Sequence, residues 1–432
     1  MSPDRGRSAA SLTAPGRVLI VALGSGGDVY PLLALGRELR ARGHEVAMAT
    51  TSDFESAVVD AGLEYSAIGD DLSRRETEQD PDLWKFPQGV KILFGRLTDA
   101  VPPTYQFIAD RYEPGRTVVV SNFLAFGARV AREKLGVPLA TVHLSPVMLR
   151  SLHAQPGRVV DPKRLWLVRP LRRVFTFLMD RYLFDPVLSP RLNAFRSDLG
   201  LPPHSRWMKS WIHSPDLVLG LFPEWFAERQ PDWPACTALT GFPLADVSAQ
   251  PELAPEVEEF LGAGEPPIVF TFGTAMAFGR EFFEASVEAC RRLVRRGLLL
   301  TRFDEQVPSH LPADVQRFRY VPLGRLLPRA AALVHHGGVG TMAQALAAGC
   351  PQLITPMNFD QPDNAARVEA LGVGLRLRPK DYSAARAAAK LEDLLHSAHI
   401  AEKSRKIAAR FQSENPVERS CERIESLLGK SG

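Results

Sequence analysis

The sequence predicts two α/β domains in tandem, each built on a parallel sheet buried on both faces, and three observations carry that expectation. The chain has 432 residues, too many for one ordinary core and suited to two domains of about 200 residues each. One unit (a short apolar strand, a glycine-rich turn, a helix) occurs near the start of the chain and again past its middle. Parallel sheets covered on both faces are assembled from such units. Between the two copies, Pro243 to Pro267 reads PLADVSAQPELAPEVEEFLGAGEPP, a Pro-, Ala- and Glu-rich composition that suits an interdomain linker.

The first unit opens with Arg17 to Ala22 (RVLIVA), turns through LGSGGD, and continues as a helix. Leu32, Leu35, Gly36 and Leu39 fall on one face of that helix, with Arg37, Glu38 and Arg40 off it. Gly43-His44 ends it, and Glu45 to Thr50 (EVAMAT) is the next strand. The second unit runs from Ile268 to Phe272 (IVFTF) through Gly273-Thr274 into a helical stretch reaching Arg296. The expected organisation is a polar tail over 1–16, an N-terminal domain over 17–242, a linker over 243–266, a C-terminal domain over 267–398 and a charged helical tail over 399–432.

Composition excludes several classes. Hydrophobic residues make up 45% and charged residues 23%, with a formal net charge of +3. That balance is globular, and no charge block or nucleic-acid-binding signature accompanies it. The four cysteines form no CxxC pair, which argues against a zinc site or disulfide framework and fits a reducing cytosol. The opening MSPDRGRSAASLTAPG lacks the apolar segment of a signal peptide, and no run of about eighteen apolar residues occurs. A cytoplasmic protein is expected, with peripheral contact at the inner membrane face left open.

The most specific stretch lies between Tyr320 and Gly374. The strand Ala332 to Val334 runs into His335-His336-Gly337-Gly338-Val339-Gly340-Thr341, where a helix begins. Glycines let a ligand approach the backbone, and free amides at a helix start favour a diphosphate. A second strand, Gln352 to Pro356, delivers Asp360-Gln361 beyond its carboxyl end, where open α/β sheets bind their ligands.

This stretch resembles the donor-binding signature of the inverting UDP-glycosyltransferase-like family, and the resemblance extends over both halves of the chain, from Arg17 to about Gly374. It implies two facing Rossmann-like domains, the GT-B arrangement, with the active site in the cleft between them. It also implies a UDP- or TDP-linked sugar as co-substrate, with no other cofactor. By resemblance Gly273 and Thr274 belong to the donor site, and His336, Gly338, Gly340 and Thr341 meet the donor diphosphate. Tyr320 stands where the family stacks an aromatic on the nucleobase. Asp360 and Gln361 match the pair that grips the sugar hydroxyls, and Gln344 replaces the glutamate that many members use for the ribose. Within the family, GSGGDVYP, WIHSPD, FPEWFAERQPDWP and PLGRLLP are similar to the rhamnosyltransferases of rhamnolipid synthesis, implying a TDP-rhamnose donor and a lipid acceptor.

The N-terminal turn, Gly24 to Pro31, carries neither a Walker loop nor GxGxxG, but it does carry Asp28. On the residues alone Asp28 is a helix N-cap or a general base for the acceptor hydroxyl. The resemblance puts it where the family carries its base. Ser121-Asn122 occupies the region where relatives place an acid that orients that base. Asp80-Pro81-Asp82 spells DxD but follows polar residues, so a turn is expected there and no metal is assigned.

The middle of the chain is the acceptor region. Trp84, Phe86, Phe123, Met148 and Trp225 are candidate apolar contacts for a hydrophobic small molecule or lipid, and His143 either joins them or is a core histidine. Asp161 to Arg196 carries eight basic and three acidic residues interleaved with apolar ones. Such a stretch lies on an anionic membrane surface, lines a channel, or packs as core helices. Two rivals remain: a sugar-nucleotide epimerase, opposed by the Trp- and Phe-rich middle, and a non-catalytic partner subunit, opposed by the presence of Asp28 with Asp360-Gln361.

Overall fold

The computed structural model describes residues 15–69, 80–154, 165–244, 252–273 and 279–429. The first sheet contains β1 (Arg17–Val21), β2 (Glu45–Thr50), β3 (Glu64–Ala67), β4 (Thr117–Asn122), β5 (Leu139–His143), β6 (Leu217–Gly220) and β7 (Thr237–Leu239). All pairings are parallel, in the order β3-β2-β1-β4-β5-β6-β7. The second sheet contains β8 (Ile268–Thr271), β9 (Gly297–Leu300), β10 (Val315–Phe318), β11 (Ala332–His335), β12 (Gln352–Ile354) and β13 (Gly374–Arg376). It too is parallel, in the order β10-β9-β8-β11-β12-β13.

Why these runs form buried strands is visible in β1. Val18, Ile20 and Ala22 join one apolar cluster, while Leu19, Val21 and Leu23 join another on the opposite face. In the second sheet Ile268 and Phe270 face one cluster and Val269 the other. A strand with both faces buried has no polar side to alternate with, so it reads as a continuous apolar run.

In each sheet the strand order reverses beside the first strand, between β1 and β4 and between β8 and β11. Loops leaving adjacent strands in opposite directions open a crevice at the carboxyl edge. The turns carrying Asp28, Gly273 and His336 leave from these reversal points. The C-terminal helix Pro416–Glu425 crosses back to the first sheet, where Cys421, Ile424 and Leu427 complete an N-terminal cluster and Glu425 pairs with Arg42 at 3.0 Å. Trp225 helps hold this return. It packs on Phe242 and Phe411, and its Nε1 donates to Glu414 at 2.8 Å, so the expectation of acceptor contact from Trp225 is replaced by a structural role.

Candidate active site

A cleft of about 1870 Å³ opens between the two carboxyl edges, lined from one side by Asp28, Trp84, Phe86, Phe123, Ser145 and Met148 and from the other by Gly273, Tyr320, His336, Thr341, Asp360 and Gln361. Gly338, Gly340 and Gln344 also line it. Most of the residues singled out in the sequence are therefore gathered in one cavity. Thr274 lies outside the described residues.

Asp28 sits in the first turn of the helix Gly26–Ala41, one turn past Ser25, and Ser25 rather than Asp28 is the N-cap. Asp28 Oδ2 accepts from the Ser25 backbone N–H at 2.9 Å and from Ser25 Oγ at 3.0 Å. The carboxylate thereby satisfies one of the orphan donors of the helix start. Among the described residues no hydrogen bond engages Oδ1. Burial pushes the carboxyl up to about 6 against the lowering effect of the two Ser25 bonds, toward the operating range of a general base. Gly24 leaves room for this arrangement: it has φ +121°, and a Cβ there would meet Asp28 Oδ2 at 2.5 Å. Asn122 anchors the approach to the turn, its Nδ2 donating to the Leu23 carbonyl at 2.6 Å. Asn122 thus braces the strand end rather than bringing an acid to the turn.

His336 lies between two glycines. A Cβ at Gly338 would stand 2.6 Å from His336 Nε2, and one at Gly273 would stand 2.9 Å from it. Only residues without side chains admit the ring. Burial draws its pKa down to about 4, so the imidazole is neutral at pH 7, and its Nδ1 is buried without a hydrogen-bond partner in the described structure. His335 is committed elsewhere. Its Nδ1 accepts from Gly337 N–H at 3.1 Å, which leaves Nε2 to donate to Gln352 Oε1 at 2.9 Å. The helix Val339–Ala348 starts at Gly338, which has no side chain with which to cap it. Gly338 to Thr341 line the cleft, and among the described residues their amides have no side-chain partner.

Asp360 precedes the helix Gln361–Leu371 and is pushed up to about 7, chiefly by burial, with a further contribution from the charge of Asp28. Gln361 Oε1 accepts from Met357 N–H at 2.8 Å and Asn358 N–H at 3.3 Å, leaving its NH2 as the group it can offer a ligand.

Trp84, Phe86, Phe123 and Met148 are on the cleft wall, and Phe86 is 60% exposed there. His143 is not on the wall. It is fully buried, stacks behind Phe123 at 5.5 Å and has Nε2 3.0 Å from His213 Nδ1. The core-histidine alternative describes its placement. Asp80 accepts from the Asp82 backbone N–H at 2.8 Å, and Asp82 pairs with Lys85 at 2.8 Å, so both carboxylates belong to a turn. Among the described residues no helix is long and apolar enough to cross a membrane.

Ser25, Ser145 and Asn364 escaped the sequence reading. Asn364 carried a signal, since it lies four residues after Asp360 on a helix, the spacing at which side chains meet. Ser145 carried none, because its partner is in the other domain.

Residues 18–153 match the glycosyltransferase family 28 N-terminal domain, and residues 299–425 match the C-terminal domain of erythromycin biosynthesis protein CIII-like enzymes. The O-mycaminosyltylonolide 6-deoxyallosyltransferase of Streptomyces fradiae is 32% identical over 426 residues, covering 95% of this chain and 97% of that enzyme. The chain belongs to this glycosyltransferase family. The glycosyltransferase GtfC of Amycolatopsis orientalis is 30% identical over 380 residues, covering 84% of this chain and 86% of its own. Among solved structures, the glycotransferase of kitacinnamycin superposes with a TM-score of 0.74 at 21% identity, covering 96% of this chain and 100% of its own. The glycosyltransferase VinC in complex with DTDP gives 0.68 at 20% identity, covering 95% and 99%. These structural likenesses establish the GT-B fold of this glycosyltransferase.

Proposed function

We propose that this glycosyltransferase moves a hexose or deoxyhexose from a UDP- or TDP-linked sugar onto a hydroxyl of a hydrophobic acceptor, with inversion at the anomeric carbon. The observation that carries the reading is one cleft with a carboxylate on one edge and an uncapped, glycine-flanked helix start on the other. Asp28 Oδ1 takes the acceptor proton as the hydroxyl oxygen attacks the anomeric carbon. The bond from that carbon to the diphosphate breaks in the same step, and a single in-line displacement inverts the centre. The departing charge settles on the amides of Gly338 to Thr341, with neutral His336 donating a hydrogen bond. Tyr320 lies against the nucleobase, Gln344 reaches the ribose, and Asp360 and Gln361 grip the sugar.

The thymidine diphosphate bound by VinC supports a TDP-sugar. The name of the Streptomyces relative supports a polyketide-like acceptor, and the wall of Trp84, Phe86, Phe123 and Met148 suits such a molecule, a sterol or a lipid alike. Rhamnose as the sugar and a hydroxylated lipid as the acceptor rest on motif resemblance to the rhamnolipid enzymes. On this reading residues 17–242 bind the acceptor, 243–266 link, 267–398 bind the nucleotide sugar and 399–432 form the returning tail.

Peripheral membrane contact has its own support in the helix Leu165–Met179. Leu171, Val174, Phe175 and Leu178 are exposed along it, with Tyr182 following and Arg173 and Arg181 exposed beside them. Sedimentation with anionic vesicles, lost on Val174→Glu, checks that contact.

A matrix of UDP- and TDP-sugars against lipid, sterol and macrolide acceptors, read by mass spectrometry, tests the whole reading. Diphosphate release is expected only when a hydrophobic alcohol is added. Release from donor alone, with an epimerised or free sugar as product, contradicts it. Transfer is also expected to survive excess chelator, since Asp80 and Asp82 are occupied with their own turn; loss with magnesium or manganese rescue contradicts that.

A further inference from the structure

A hydrogen-bond relay through Ser145 and Asn364 links the first sheet's domain to Asp360. Asp360 Oδ2 accepts a hydrogen bond from Asn364 Nδ2 at 2.7 Å, and the same Nδ2 donates to the Gly337 carbonyl at 3.0 Å. Asn364 Oδ1 accepts from Ser145 Oγ at 3.0 Å. Asn364 is fully buried and Ser145 nearly so. The amide orientation is fixed by its partners: a carboxylate and a carbonyl both require the NH2 end, and the hydroxyl supplies a proton to the oxygen end. Ser145 lies just past β5, in the first sheet's domain, while Asn364 and Asp360 belong to the second. The same seam carries a second bond, from Asn358 Nδ2 to the Leu83 carbonyl at 3.2 Å. Close approach there depends on Gly89, where a Cβ would stand 1.8 Å from the Leu83 oxygen.

We propose that Ser145 is a positioning residue that makes the sugar grip of Asp360 depend on the seating of the acceptor domain. The inference rests on the reading of Asp360 as the residue that holds the sugar. With the domains together, Ser145 holds the Asn364 amide, and the amide holds the Asp360 carboxylate beside Gly337. With the domains apart, the Asn364 oxygen loses the Ser145 donor, the amide is free to turn, and Asp360 loses a fixed donor. The donor sugar is then gripped firmly only when the acceptor side is in place, an arrangement that shields an activated sugar from water.

The test compares Ser145→Ala, Ser145→Thr, Asp360→Asn and the Ser145→Ala/Asp360→Asn double variant in the full chain. Calorimetry measures the Kd of thymidine diphosphate, TDP-glucose and its C4 epimer, so no acceptor is needed. Steady-state KM and kcat with the preferred donor and a working acceptor follow. Ser145→Ala is expected to narrow discrimination between the two sugars about five- to tenfold, the value of one buried hydrogen bond, while thymidine diphosphate affinity is unchanged. Ser145→Thr restores discrimination, and the double variant matches Asp360→Asn alone. Wild-type discrimination in Ser145→Ala, an equal loss of thymidine diphosphate affinity, or additive effects in the double variant overturns the proposal. If Asp360→Asn discriminates as wild type, the reading of Asp360 itself fails and the relay with it. If Asp360→Asn loses discrimination while Ser145→Ala does not, only the relay fails.

Discussion

The two glycine turns of this enzyme share a layout and differ in how their helix starts are satisfied. Each follows a reversal-point strand, and each opens a helix at the cleft. After β1, the helix start is closed from within, because Asp28 accepts the Ser25 N–H, and a carboxylate at that position repels an anion. After β11, the helix start is left open, because Gly338 brings no side chain to cap it and, among the described residues, the Nδ1 of neighbouring His336 has no partner. On the proposed mechanism, one backbone motif serves as a proton acceptor or an anion site according to whether its own side chain satisfies the helix start. The difference lies in two or three residues, not in the fold.

Breaking the first turn is expected to have the largest effect. Asp28→Asn keeps the acceptor oxygen for Ser25 and so keeps the helix start, but removes the base, and transfer to an aliphatic alcohol should fall by roughly 10²–10⁴-fold. Donor affinity, measured by calorimetry, should stay within error, because the proposed diphosphate ligands are in the other domain. Breaking the second turn costs less. His336→Ala removes a hydrogen bond to a charged group, about 1.5–3 kcal/mol, or roughly ten- to a hundredfold in turnover with saturating donor. Unchanged turnover would remove His336 from the reaction.

The glycines sharpen the contrast. Gly338→Ala places a Cβ 2.6 Å from His336 Nε2, and Gly24→Ala places one 2.5 Å from Asp28 Oδ2 in a left-handed conformation. Gly24→Ala is expected to lower stability by about 1–3 kcal/mol as well as activity, whereas Gly338→Ala, at φ −60°, should weaken nucleoside diphosphate binding with a smaller change in Tm. Equal losses in both measurements for both variants would erase the distinction.

Smallest but most diagnostic is the opposition of activity and stability with pH. A base must be ionised, so transfer should fall as pH drops through about 6, the value to which burial raises Asp28. Stability runs the other way. Asp28 and Asp360 hold their protons more tightly folded than unfolded, with folded values of about 6 and 7 against 3.8. Their contribution is fully present below about 3.8 and is lost as pH rises through 6 to 7. The Tm advantage of Asp28→Asn over the native enzyme should therefore be larger at pH 8 than at pH 4. A constant Tm difference across that range contradicts the burial account of Asp28.

Much of this contrast was legible in the sequence because it rests on local pattern. Apolar runs such as RVLIV and IVFT, buried on both faces, announce a parallel sheet, and HHGGVGT announces a helix start with room for a ligand. The parts that were not legible depend on packing between distant segments. His143 after an apolar strand reads equally as a pocket residue or a core histidine, and only the stack with Phe123 and the contact with His213, 70 residues away, decide for the core. Trp225 reads as an acceptor contact, yet it anchors the returning tail through Glu414, 189 residues on. Ser145 reads as nothing at all until Asn364 is brought beside it.

The central claim is that the first turn activates the acceptor and the second receives the leaving group. The most direct test is the rate of Asp28→Asn and His336→Ala against a series of acceptors of falling pKa, ending in a phenol assayed above its pKa. With a pre-ionised acceptor no proton needs removing, so Asp28→Asn is predicted to recover most of its roughly 10²–10⁴-fold deficit while His336→Ala keeps its own deficit along the whole series. Equal recovery of both variants, or no recovery of Asp28→Asn, would contradict the division of labour between the two turns.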